Sequence, residues 1–562
     1  MKDKIYNIIN KINITITTLL LILTPLFLGS FKDSYINNYL FAFILLDIIA
    51  ITQFILKPKK IDKKIILYFL FILTYLIPLF SKDIVFINTH IKITILILST
   101  LIIAININQI MSKEQLFKTI IISSTITVIT SILYIFYPNI LESFSIKADY
   151  GDFYLSSIYR LYGTLNYPNA LALFSLIGII LSFKWLDKKP YKIIFYINML
   201  GLLLTISKST LIFAIIIFII YIIKNKEIRY NLFASILPLM LNLNTFREAV
   251  INNNLFYLLI TTLIFFIIYY GFYILLNKKK IIYIIICISI ITFAIIFPNK
   301  SLTITKNNNP DIFIVDFMGL KKGTYEITIK LKADNFDGNV YLYKQFLQKH
   351  NMSYILVKQE KLNNIIKIKF KTEKDAEYYS LKISNNLVNF NIENIEIENK
   401  ETKKNIPVNY HLWPYNYVKQ LEQIKYDGTS IGSRLDIYKL CFQIIKDNPL
   451  LGHGFDYFKV ANKDTNLDYI LVEHSQIMTL GVQNGIVSIL IWILLLIMIS
   501  IEIIKKWKKE NYETILILVL LIYTSLFDFS MSYQFFLLLL FAFSIQLLKK
   551  NTNCTSQEKV DR

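Results

Sequence analysis

Apolar runs of bilayer-crossing length follow one another along most of this chain. Fourteen can be marked, at 13–31, 38–56, 65–80, 91–108, 117–137, 166–183, 193–207, 209–223, 231–245, 255–276, 281–298, 486–504, 513–527 and 530–548. A helix of about twenty apolar residues matches the hydrocarbon thickness of a membrane, and within that thickness a helix satisfies its own backbone. The runs alternate with short charged loops. The fold class expected is therefore an all-α polytopic membrane protein of about fourteen transmembrane helices. A hydrophobic content of 55% and a mean hydropathy of +0.50 suit no soluble domain. The first run lacks a small-residue cleavage site and reads as a span rather than a cleaved signal.

Charge orients the chain. The loops 57–64, 184–192, 224–229, 277–280 and 505–509 are rich in lysine and arginine, and they alternate with loops at 31–38 and 81–90 that are not. Short basic loops stay on the cytoplasmic side, which puts both termini there as well. The run 231–245 is short and holds Pro238, features of a re-entrant segment. Deleting it would reverse every later loop and carry the basic loop 277–280 outside, so it is kept as a span. The net charge of +21, from 60 Lys+Arg against 39 Asp+Glu, is then orientation in a lipid bilayer and not a nucleic-acid surface. The three cysteines, Cys287, Cys441 and Cys554, make no disulfide framework.

Five regions follow: 1–298 with about eleven spans, an insert at 299–405, a loop region at 406–485, three further spans at 486–548, and a cytoplasmic tail at 549–562. Segments such as TYEITIKLKAD, IIKIKFKT and FNIENIEIEN in the insert alternate apolar and polar residues, the period of strands. Seven or so of them predict an extracytoplasmic β-sandwich, loosely similar to the jelly-roll modules that bind carbohydrate. A plain spacer or oligomerisation domain has the same pattern.

On this topology all five histidines, His90, His350, His411, His453 and His474, lie outside the cytoplasm, as do Arg160, Lys208, Arg247 and Arg434. A site facing out has no nucleotide to use. Its substrates are flipped lipid-linked species, lipids or outer polymers. In SIYRLYGTLNYPNALA, Arg160 and Asn169 stand where an outer loop enters a span, and a guanidinium there can grip phosphate with two parallel bonds; an interfacial arginine snorkelling to water has the same address. Lys208 in TISKST sits at a tight outer turn, against the usual charge trend. Arg434 precedes a helix expected at 436–447 that Pro449 ends, and Gly452 and Gly454 permit a tight turn after it. His474 stands at the mouth of a helix leading into a span, where a neutral imidazole can take a proton from a hydroxyl. Glu473 beside it either orients it or is a bystander. Asp47 is an isolated acid within a span, and its simpler reading is a helix–helix hydrogen bond. No HExxH, acidic pair or cysteine cluster points to a metal.

In the order of these blocks the chain resembles the O-antigen ligase and O-antigen polymerase superfamily of bacterial membrane proteins. RLYGTLNYPNALA is similar to an Arg-x-x-Gly…Pro-Asn block. SKST stands in place of a Ser-Arg-Gly turn, with Lys208 for arginine. RLDIYKLCFQIIKDNPLLGHGFDYF matches an Arg-helix-Pro-x-x-Gly-x-Gly block. EHSQIMTLGVQNGI stands where an Ala-His-Asn helix is followed by Glu-x-Gly, with Ser475 for the asparagine and Gln483 for the glutamate. The insert is not part of the pattern. The resemblance implies a metal-independent, inverting glycosyltransferase of the bacterial plasma membrane. Its donor would be a polyprenyl-diphosphate-linked glycan, and its acceptor a sugar hydroxyl on a glycan or lipid-glycan. It implies no cofactor. Arg160 and Arg434 would hold the diphosphate with help from Lys208, Asn169, Gly452 and Gly454, and His474 would be the base or would position the acceptor. A lysine at 208 is a point charge and gives up the guanidinium fork.

Two other classes are open. A lipid-linked oligosaccharide flippase also suits many spans, although it predicts two related halves and a charged central cavity. A structural or sensory protein displaying a β-sandwich predicts no dependence on Arg434 or His474.

Overall fold

The computed structural model describes residues 2–30, 33–58, 61–82, 84–137, 161, 163–165, 167–251, 254–278, 302–304, 311–320, 322–333, 338–348, 351–373, 377–385, 390–406, 429–462, 472–507, 512–528 and 530–549. Every expected span that falls there is helical, and the one at 281–298 lies outside the described residues. Seven helices are long and apolar enough to cross a membrane: Asp3–Phe27, Ile36–Leu56, Ile87–Ile110, Lys113–Phe136, Pro168–Trp185, Leu255–Asn277 and Ile486–Lys506. Ile65–Phe80, Tyr512–Phe527 and Gln534–Leu548 are apolar but shorter. A helix of 15 residues such as Gln534–Leu548 rises about 22 Å, short of a hydrocarbon core of about 30 Å. The expected spans 193–207, 209–223 and 231–245 form Lys189–Leu204, Lys208–Lys224 and Lys226–Ile251, which are outside the seven as well. The protein is thus mostly helical with seven candidate spans among the described residues, where the sequence reading had expected about fourteen.

The chain divides into two compact units, Met1–Ser124 with Leu435–Arg562, and Thr125–Arg434. In the first, Gln534–Leu548 is apolar on every side and buried along its length except at Gln546, as a helix at the centre of a bundle must be. Phe541 meets Tyr68 edge-on at 5.2 Å between ring centres, and the Tyr68 hydroxyl donates to Ser544 Oγ at 2.7 Å. The Asn108 amide donates to the Ala542 carbonyl at 2.8 Å. Among apolar helices such polar links fix register, because a lost partner leaves a bare dipole in hydrocarbon. Asn13 plays this part for three helices, donating to Gln53 Oε1 at 2.5 Å and Asn106 Oδ1 at 3.0 Å. Asp47 is buried and accepts from the Ser99 hydroxyl, so the isolated acid does make a helix–helix hydrogen bond.

In the second unit Pro168 occupies the first turn of the helix Pro168–Ser182, where its missing N–H leaves no helical bond unmade. Lys226–Ile251 runs unbroken through Pro238. Its carboxamides bind the neighbouring helix Leu255–Lys278: Asn231 Oδ1 accepts from the Tyr269 hydroxyl at 2.5 Å, and Asn242 Oδ1 accepts from Thr262 Oγ1 at 3.1 Å.

The insert folds as two antiparallel sheets. Its strands are β1 (Leu302–Ile304), β2 (Asp311–Leu320), β3 (Gly323–Ala333), β4 (Gly338–Gln348), β5 (Asn351–Lys361), β6 (Ile365–Thr372), β7 (Glu377–Asn385), β8 (Phe390–Asn399) and β9 (Lys404–Ile406). One sheet has the order β1-β8-β3-β6 with β9 beside β8, and the other β2-β7-β4-β5. β6 buries every second residue, Ile366, Ile368, Phe370 and Thr372, and turns Lys367, Lys369 and Lys371 outward. Phe370 on one sheet lies 4.8 Å from Tyr379 on the other, ring to ring, so the two inner faces pack together.

Candidate functional site

Several of the residues singled out in the sequence fall into two groups, Asn169 and Lys208 in the second unit and Gly452, Gly454 and His474 in the first. In the second unit, Asn169 lies in the first turn of Pro168–Ser182 and Lys208 is the first residue of Lys208–Lys224. Ser207, which precedes that lysine, donates its hydroxyl to Asn169 Oδ1 at 2.8 Å and lies 3.1 Å from Thr210 Oγ1. The Asn169 amide in turn donates to the Tyr167 hydroxyl at 2.7 Å. Two blocks 38 residues apart are thereby joined through side chains. Ile206 takes a positive φ of 50° to make the turn, a strained conformation for a β-branched residue. Lys208 is half-buried, and a cation at the first residue of a helix opposes the macrodipole at a cost of about 0.3–1 kcal/mol. Arg160 lies outside the described residues, as do His350, His411 and the side chain of Arg247. Leu161, next to Arg160, donates its N–H to the Leu204 carbonyl at 2.9 Å. Gly163 has φ +50°, and a Cβ there would overlap the Ser131 side chain, so only glycine lets this segment lie against the helix Lys113–Phe136.

In the first unit the turn after Pro449 is tied by backbone bonds to the helix Gln476–Asn484 and to the start of Ile486–Lys506. The His453 N–H donates to Val482 O at 3.0 Å, Gly454 N–H to Gln483 O at 2.9 Å, and Ile486 N–H to Pro449 O at 2.8 Å. Gly452 has φ +67° and its N–H donates to Asn448 O at 3.0 Å. A Cβ on Gly452 would overlap the Gln483 carbonyl, and one on Gly454 would press on Ile84 at 2.7 Å. The glycines expected to help hold a diphosphate are therefore engaged in packing, with their amides donated inside the fold. His453 is buried, stacked on Tyr457 at 4.1 Å with Nε2 at 3.1 Å from Ile444 O. His90 is buried too: Nε2 lies 2.7 Å from Tyr75 O, and Nδ1 accepts the Phe455 N–H at 3.2 Å. Both histidines have structural tasks.

His474 precedes the helix Gln476–Asn484, is half-buried, and has φ +53°, another strained backbone. Its carbonyl accepts from the Tyr438 hydroxyl at 3.4 Å. Tyr438 belongs to the helix Thr429–Asp447, and half-buried Arg434 stands one turn earlier on the same helix. Ile437, Cys441, Ile444 and Ile445 of that helix pack with Phe458 and Val482 into a compact apolar cluster that fixes its pose.

Glu473 is the residue whose importance the sequence did not disclose. It is buried, with Thr479 Oγ1 donating to its Oε2 at 3.1 Å. Burial pushes its carboxyl up to about 7; the nearby Asp456 carboxylate adds to the rise, while the Thr479 hydroxyl and the Lys459 ammonium offset it. Glu473 lines a cavity of about 40 Å³ with Asp456, Gln476, Thr479, Gln483 and Gln534. Asp456 also has a positive φ, 61°, and pairs with Lys459 at 2.7 Å. Among the described residues no group of three or more His, Cys, Asp or Glu side chains is placed to hold a metal ion. The first of the two groups can hold an anion and the second can move a proton. No protein-family model, no curated protein and no solved structure matches the chain.

Proposed function

We propose that the protein transfers a glycan from a polyprenyl diphosphate to a sugar hydroxyl at the outer face of a bacterial plasma membrane, as an O-antigen ligase or polymerase does. The observation that carries this reading is the order of four sequence blocks, those of Arg160, Lys208, Arg434 and His474, along a polytopic chain. The hydrogen bond from Ser207 to Asn169 supports it, because it unites the first two blocks beside a cation. So do a buried carboxyl, Glu473, and a half-buried imidazole, His474, that follow one another in the chain at a strained turn.

The chemistry suits these groups. Diphosphate is already a good leaving group, so fixed positive charge is enough to stabilise it as the anomeric C–O bond breaks. Arg160 and Arg434 are given that role with Lys208. His474 positions the acceptor or takes its proton. The scheme calls for no cofactor.

The insert is read as a jelly roll. The strand orders β1-β8-β3-β6 and β2-β7-β4-β5 support this, since two Greek keys rolled together interleave in that way. Such a module would hold growing glycan near the membrane.

The test uses purified protein in liposomes and lipid-linked glycan extracted from producing cells that lack this protein. Longer or transferred glycan with release of polyprenyl diphosphate is the expected result, and Arg434→Ala and His474→Ala each lower it by about a hundredfold or more. Transbilayer movement without release would make the protein a flippase. Full activity in both variants would remove these residues from the site.

A further inference from the structure

We propose that Glu473 and Gln534 form the seat for the acceptor hydroxyl, with Glu473 receiving its proton during transfer. The inference rests on the transfer reading above and adds a residue to it. The cavity they line has room for a hydroxyl or one or two waters and none for a sugar ring. Only the tip of an acceptor can enter.

Three observations point to a ligand here. Gln534 is buried, and its Oε1 has no hydrogen-bond partner among the described residues. A buried carboxamide oxygen left so calls for a donor, and Gln534 borders a cavity that could admit one. The Glu473 carboxylate is held on one side by Thr479 while it also borders the cavity. Gln476, Gln483 and Asp456 add polar groups to a lining that also holds apolar side chains such as Ile93, Phe458 and Met531. An apolar bundle does not gather five such side chains around a small space for packing alone.

The step balances. The acceptor oxygen forms a bond to the anomeric carbon, the bond from that carbon to the diphosphate oxygen breaks, and polyprenyl diphosphate leaves with the electron pair. The hydroxyl proton passes to Glu473, and from there to water. The charged and titratable groups around Glu473 include Asp456 and Lys459 on the neighbouring turn, Cys441 across the apolar cluster, Tyr75 on the cavity wall, and His474 beside it. A carboxyl that titrates about 7 matches the working pH of a general base.

Glu473→Gln keeps the shape and removes the proton acceptor. In the liposome assay above it is expected to lower the turnover of extension by about a hundredfold while leaving the KM for the lipid-linked glycan unchanged, and to abolish the rise of rate through neutral pH. Gln534→Leu, which keeps the bulk, is expected to raise the KM for the acceptor. An infrared carboxyl band that disappears near pH 7 in the parent and is missing in Glu473→Gln would confirm which group titrates. If the parent extends glycan and Glu473→Gln does so at the same rate with the same pH profile, the inference falls and the transfer reading stands. If the parent itself releases no polyprenyl diphosphate, both fall.

Discussion

The turn that carries Asn169, Ser207 and Lys208 and the segment that carries Glu473 and His474 handle polarity in opposite ways. The first is made of a carboxamide, hydroxyls and a lysine, and the carboxamide and hydroxyls bond to one another. The second holds a carboxyl shifted to the middle of the physiological range next to an imidazole, and it borders a cavity. Permanent groups suit binding; titratable ones suit proton movement. Both regions use strain in the same manner. Ile206, Asp456 and His474 all have positive φ, and each sits within two residues of a side chain that the site reading relies on. Strain of this kind persists only where the surrounding fold holds it.

The largest expected effect breaks the second region outright. Gly452→Ala combines a positive φ with overlap of the Gln483 backbone, which has no side-chain slack to give, and is expected to destabilise the protein by about 3 kcal/mol. Thermal unfolding in detergent would show this as a lowered Tm; an unchanged Tm would mean that the turn is not zipped as described.

Next comes the pH dependence of stability. The folded Glu473 carboxyl lies near 7, above its usual 4.5, so protons bind more tightly to the folded state. Its contribution is full below about pH 4.5 and is lost as pH rises through 7, a change on the order of 2–3 kcal/mol by pH 8. Glu473→Gln should therefore unfold at a higher temperature than the parent at pH 8 and show no such advantage at pH 5. Equal gaps at the two pH values would put the titration elsewhere.

The smallest effect sharpens the first region. Ser207→Ala removes the link to Asn169 and should cost about 1 kcal/mol, equally at pH 5 and pH 9. A pH-dependent loss would erase the distinction between the two regions.

Local patterns in the sequence were read correctly where the cause is local. Alternation in IIKIKFKT set the inward and outward faces of β6, and the apolar runs among the described residues became helices, although the first starts well before the expected residue 13. The number of full spans was not legible in the same way. A run like 530–548 is as apolar as a lipid-facing helix, and only its neighbours, Tyr68, Phe71 and Asn108 among them, show that it is short and enclosed by protein. The tight turn at Gly452 and Gly454 was legible, but not what enforces it, since what forbids a side chain at Gly452 is the backbone at Gln483, far along the chain. Glu473 stood beside a noticed histidine, but its shift comes from burial, which is a tertiary property. The adjacency of Asn169 and Ser207 is likewise a matter of how two helices meet.

The bond from Ile486 N–H to the Pro449 carbonyl couples a surface turn to the first residue of a long apolar helix. That helix is free to lean only as far as the turn leans with it. The tilt of such a helix, which follows bilayer thickness, and the pose of the turn are thus joined through a single backbone bond.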